Sequence, residues 1–228
     1  MAPFAESWFF AAAGQLELRR EDRVLALLVR AGEVRHLAAQ VGAAGRVLAV
    51  QPDRGQAEAI AALGLPQVEA LALPLRGEEH FGAFDALVCA PAGMPGWGLG
   101  GCADLARSNL RPGGRFVFDL PGAVMLAPVV AAFAELGWDP SPLQRWSGPG
   151  ASQLVDALRG AGLRRAQEVF ANQWLRLESP FDLADWVGGE LGLAAPSCTQ
   201  LGQVLVHRLA NVAAAEVLVQ RVRVVGQR

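Results

Sequence analysis

The chain has 228 residues, with 20 basic against 22 acidic side chains; every basic one is arginine, and there is no lysine and no tyrosine. These absences exclude a phosphate-cradling P-loop lysine, a kinase-type strand lysine, a Schiff-base lysine for pyridoxal phosphate and a tyrosine acid of the short-chain dehydrogenase kind. A net charge of −2, with the arginines scattered, argues against a nucleic-acid surface, because phosphate binding needs clustered cations.

The length fits one domain over residues 1–228, with 1–20 as an N-terminal helical cap and 137–200 as a lid or substrate region within it. The first ten residues carry an acid and no basic segment, unlike a secretory signal. The most apolar stretch, Gly122 to Leu136, is too short for a bilayer and holds Pro128. The chain therefore reads as cytoplasmic, with no membrane partner. Cys89, Cys102 and Cys198 form neither a disulfide framework nor a zinc pair, and His36, His80 and His207 lack metal-ligand spacing, so no metal is expected.

Val24 to Val29 is a continuous apolar run, the pattern of a strand buried on both faces. Val34, Leu37, Ala38 and Val41 then recur at helical spacing. Arg46 to Val50 reads as a second strand, Pro52 to Leu63 as a helix opened by its proline, and Val68 to Leu73 as a third strand. Phe84 to Ala90 is a fourth strand, followed by a Gly- and Pro-rich loop from Pro91 to Gly101, where open α/β sheets place ligands. A helix from Cys102 to Leu110, a turn at Arg111 to Gly114, a strand from Arg115 to Leu120 and a helix from Gly122 to Leu136 come next. Gly137 to Gly150 is rich in Pro, Gly and Trp and suits a linker or lid. Beyond it lie a helix (Ser152 to Gly160), a strand (Arg165 to Phe170, or on to Leu175), helices at Pro180 to Leu191 and Gln200 to Ala210, and a last strand from Ala215 to Val225. The alternation means parallel pairing with right-handed crossovers.

Leu110-Arg111-Pro112-Gly113-Gly114-Arg115-Phe116-Val117 resembles a signature of the class I S-adenosylmethionine-dependent methyltransferases, in which a helix ends in L-R/K-P-G-G and a strand follows at once. Phe84-Asp85-Ala86-Leu87-Val88 is similar to that family's fourth-strand opening. Arg46 to Asp53 is similar to its second strand and turn, and Ala161-Gly162-Leu163 to its late sheet entry. The resemblance covers about residues 20 to 178. It implies an α/β, three-layer Rossmann-like fold with a seven-stranded, mostly parallel sheet and an antiparallel last strand. It also implies S-adenosylmethionine as cofactor, lying across the carboxyl ends of strands one, two and four.

The cofactor motif departs from the family pattern. There, strand one ends in an acid and a Gly-x-Gly-x-Gly loop; here the acid position is Ala26 and the glycine positions are Leu28, Arg30 and Gly32. The ribose-gripping acid after strand two is Gln51, 19 residues beyond Gly32. Glutamine can donate and accept but lacks the charge of a carboxylate. The implied site is Leu28, Arg30, Gly32, Gln51, Pro52, Glu69 and Ala90. Two readings stay open at Leu28 and Arg30: packing that fills an emptied cleft, or an altered pocket in which Arg30 meets an anionic group at a helix start. Gln51 is a polar strand end or a ligand contact, and Glu69 an adenine-side acid or a plain strand residue. The tryptophans pack the core or line an apolar pocket. The histidines read as ordinary ones, and no catalytic residue is assigned.

Three functions fit these residues. One is a methyltransferase with an unusual cofactor loop, acting on a small molecule. Another is a non-catalytic methyltransferase-like protein that serves as a partner subunit or binds another ligand; separately, the apolar composition suits a homodimer or heteromeric partner. The third, a nicotinamide enzyme, is the weakest, because no G-x-G-x-x-G follows strand one.

Overall fold

A computed structural model describes residues 12–90, 97–121, 127–146, 151–176, 179–209 and 216–228. Its centre is one seven-stranded sheet in the order β3-β2-β1-β4-β5-β7-β6. The strands are β1 (Arg23–Leu27), β2 (Arg46–Gln51), β3 (Val68–Ala72), β4 (Phe84–Cys89), β5 (Leu110–Pro121), β6 (Arg164–Arg176) and β7 (Glu216–Gln227). β1 to β5 pair in parallel, and β7 is antiparallel to both β5 and β6. The seven strands, the parallel majority and the antiparallel last strand are as the resemblance implies.

Helices cover both faces, so the central strands are apolar throughout rather than alternating. Leu25, Leu27, Leu87, Phe116 and Phe118 pack on one side with α3 (Gly98–Asn109) and α5 (Ala151–Gly160). Val24, Ala26, Ala49, Val88 and Val117 pack on the other with α1 (Ala31–Val41), α2 (Arg54–Ala61) and the helical residues 12–14, through Ala12 and Ala13 and, just beyond them, Leu16. Fully burying a leucine such as Leu25 or Leu27 contributes about 1.5–3 kcal/mol. A third core joins α4 (Ala127–Glu135), α6 (Pro180–Leu191) and α7 (Ala195–Leu209) through Phe133, Leu143, Val187 and Leu205.

Several boundaries differ from the sequence reading, each for a local reason. β1 stops at Leu27 because Leu28 turns left-handed, at φ 57°. α2 begins after Pro52, because the Asp53 side chain accepts the Gln56 N–H at 2.7 Å and caps it. α3 starts at Gly98, within the expected loop, of which residues 91–96 lie outside the described part. The expected turn at Arg111 to Gly114 is a register shift in β5 between its Phe84 and Ala86 partners, with Gly113 at φ 81°. The first part of the helix expected from Gly122, and residues 1–11 of the expected cap, also lie outside the described residues.

Between β3 and β4, residues 73–83 form neither helix nor strand. At the amino end of the sheet, Asp85 accepts the Arg23 N–H at 2.7 Å and pairs with Arg111, while Asp22 pairs with Arg115 at 2.5 Å. The Asp85 contacts fasten β4 to its neighbours β1 and β5, and the Asp22–Arg115 pair reaches across β4 from the start of β1 to β5, all at the amino end of the sheet.

Candidate functional site

The register places one row of residues along the carboxyl ends of the strands. Leu27 is level with Val50 and Cys89, and Cys89 with Phe118. One residue further on stand Gln51, Leu28, Ala90 and Asp119, with Arg223 of β7 opposite Asp119. Leu28 N–H donates to Val50 O at 3.2 Å, and Ala90 N–H to Leu27 O at 3.2 Å, so this crest is hydrogen-bonded across three strands.

At Leu28 a leucine holds the left-handed conformation that ordinarily belongs to glycine. Its half-buried side chain packs on the same core as Leu75, Trp97 and Leu99. Two residues later Arg30 is the extended N-cap of α1, and Glu33 reaches back to accept its N–H at 2.6 Å. Glu33 is buried, and Gly32 lies half-buried in the same first turn. The positive end of α1 thus sits beside one arginine and one buried carboxylate.

Gln51 is buried, and its side-chain amide donates to the Val29 carbonyl, tying the end of β2 to the loop after β1. Pro52 is exposed beside it. Leu28, Arg30, Gly32, Gln51, Pro52 and Ala90 therefore share the crest. Glu69 does not: it is exposed, opposite Leu48, three residues before the end of β3 and so about 10 Å down the strand.

Two features of the crest escaped the sequence reading, and a third is only loosely legible in it. Glu33 is one; its position three residues after the N-cap was the available signal. Trp97, at the N-cap of α3, is the loosely legible one, read from sequence only as a tryptophan of the core or an apolar pocket; Gly77 and Gly101 press so close that a Cβ on either would lie within 3 Å of it. The last is the buried pair of Asp119 and Arg223, 3.4 Å apart. Burial pushes the Cys89 thiol well up, with Cys102 and Asp119 adding to it. Burial raises Cys102 to about 11, offset in part by the nearby Trp97 indole. Neither thiol is a nucleophile at neutral pH. Among the described residues no cluster of His, Cys, Asp or Glu is arranged to hold a metal ion.

This fold is that of the Rossmann-like S-adenosylmethionine-dependent methyltransferases. The YcgJ protein of Bacillus subtilis superposes with a TM-score of 0.69 at 15% identity, over 97% of this chain and 98% of its own. A SAM-dependent methyltransferase from Geobacter sulfurreducens, solved in complex with S-adenosyl-L-homocysteine, gives 0.59 at 15% identity over 100% and 92%. The [4+2]-cyclase SpnF gives 0.60 at 15% identity over 98% and 80%. No protein-family model matches the chain. No curated protein matches it in sequence either. With a cyclase among the structural neighbours, the fold by itself does not fix a reaction.

The crest fits an adenosyl ligand in its backbone and only partly in its side chains. The left-handed turn at Leu28, the helix start at Ala31 and a polar residue ending β2 are all present. The acid of strand one is not: Ala26 is buried inside the sheet.

Proposed function

We propose that the chain is a methyltransferase that binds S-adenosylmethionine across the crest and acts on a small molecule, in the cytoplasm. The observation carrying this is Leu28: a leucine costs about 1–2 kcal/mol in the left-handed region, yet the glycine-type turn is kept just before α1. When bound, the sulfonium supplies an electrophilic methyl, so positioning accounts for much of the rate and a strong base is not required. Gln51 fixes the loop after β1 through Val29. Arg30 and the start of α1 offer donors for a carboxylate, and Ala90 bounds the floor at β4. The proposed lid, residues 137–200, shares the third core with α4 and with Leu201, Leu205 and Leu209 of α7.

The donor set also predicts a preference. Arg30 together with the helix's positive end outweighs the single Glu33 carboxylate at the loop, and there is no acid at Ala26, so a cationic sulfonium is disfavoured. S-adenosylhomocysteine should bind about three- to tenfold more tightly than S-adenosylmethionine. Calorimetry with both ligands tests this. No heat and no thermal shift at about millimolar ligand would sink the enzyme reading. A second reading, a non-catalytic methyltransferase-like partner subunit, would then stand. It is favoured by one observation: the Gln51 amide already bonds within the chain instead of facing a ribose.

A further inference from the structure

A cavity of about 360 Å³ opens at the amino ends of β1 to β4, at the opposite edge of the sheet from the crest. Side-chain alternation explains its lining. Leu25 and Leu48 face the core built on α3 and α5, so Arg23 and Arg46, two residues before them, face the same way. Glu69 shares that face with Leu71, and Phe84 belongs to it as well. No helix lies between β3 and β4, so the half-buried Leu48 and Phe81 form an open floor beside the buried Phe84.

Arg23 and Arg46 are direct partners in the β1–β2 register, with Cα atoms about 4.8 Å apart. Like charges placed side by side on one face of a sheet repel. Among the described residues neither guanidinium has a carboxylate within ion-pair distance. Arg23 instead lies over the Phe84 ring, 5.4 Å from its centroid, and Arg46 donates to the Pro66 carbonyl at 3.0 Å. The Asp85 carboxylate next to Arg23 is taken by the Arg23 N–H and by Arg111.

We propose that this cavity binds a small aromatic carboxylic acid, its carboxylate between Arg23 and Arg46 and its ring on Phe81 and Leu48. An anion there removes the repulsion of the two cations, and guanidinium forks match a carboxylate in shape. The apolar floor is too small for a protein segment and suits one ring. Glu69, on the same face, accepts an ammonium, so an aromatic amino acid meets all three charges.

The experiment is calorimetric titration of the whole chain with 3-phenylpropionate, phenylalanine and phenethylamine, which differ only in which charges the ring carries. The two acids should bind with millimolar dissociation constants, and phenethylamine should not. Arg46→Gln and Arg23→Gln should each weaken both acids about tenfold. Glu69→Gln should weaken phenylalanine alone. No binding of either acid up to about 10 mM overturns the proposal, as does equal binding by both arginine variants. Circular dichroism confirms that each variant is folded, and both arginines are exposed. S-adenosylhomocysteine titrated into the same variants should bind as in the parent, which separates failure here from failure at the crest.

Discussion

Leu28→Gly gives the most direct reading of the crest. Three terms set its effect on stability. Relief of the left-handed leucine favours the variant by about 1–2 kcal/mol. Losing a half-buried leucine side chain costs about 0.8–1.5 kcal/mol, half the value for full burial. A glycine also frees the unfolded chain, at about 0.4–1 kcal/mol. The terms nearly cancel, so urea denaturation should show a change within about 1 kcal/mol of the parent, or roughly 2–4 °C in Tm for a chain of this size. An aliphatic residue removed from a true core site would instead cost about 2–5 kcal/mol. Calorimetry on the same variant should show tighter S-adenosylhomocysteine binding, because the backbone turn survives while the side chain is gone. A loss above about 3 kcal/mol would refute the account of Leu28 as a strained, half-buried residue. Weaker ligand binding in a stable variant would refute the account of the loop as a ligand-bearing turn.

Gly77→Ala should destabilise by about 3 kcal/mol in the same melts, since Gly77 sits at φ 93° and a Cβ there would lie 2.7 Å from Gly101 Cα, a backbone atom that cannot step aside. Burial lowers the pKa of His36 from 6.5, so the unfolded chain takes up the proton first; stability should be complete above about pH 6.5 and fall as pH drops below it, and His36→Gln should flatten that slope in pH-dependent melts. Thiol labelling at pH 7–8 should modify Cys198 in the folded chain and reach Cys89 and Cys102 only on unfolding, as read by mass spectrometry; early labelling of Cys102 would contradict its burial and its pKa of about 11.

The strands could be read because burial on both faces writes itself as uninterrupted Val, Leu and Ala, as in Val24 to Leu27. The class of fold followed from their order with the intervening helices. What could not be read was any feature in which local preference loses to context. A leucine at positive φ looks like more strand, so β1 seems to run to Val29. Gly98 to Gly101 looks like loop, yet these residues pack beside Trp97 as the first turn of α3. Glu69 could not be placed along β3, because nothing in its neighbourhood marks the level of the strand ends. Asp119 and Arg223 meet only through the β5–β7 register, which pairs distant parts of the chain. Gln51 reads as a site residue from its place at the end of β2, but its bond to Val29 depends on how the loop after β1 folds back.

The β6–β7 hairpin has an evolutionary meaning. β7 pairs with β5 only from Arg221 onward, while residues 216–220 continue alongside β6 alone, as far as the pairing of Arg176 with Glu216. Everything from there through α6 and α7 leaves and re-enters the sheet at two adjacent backbone positions. Such a segment can be shortened, lengthened or exchanged by a genetic insertion whose two junctions already lie side by side, with no strand changing its neighbours. A lineage built on this sheet can therefore trade one helical cover for another while the crest and its hydrogen bonds are inherited intact.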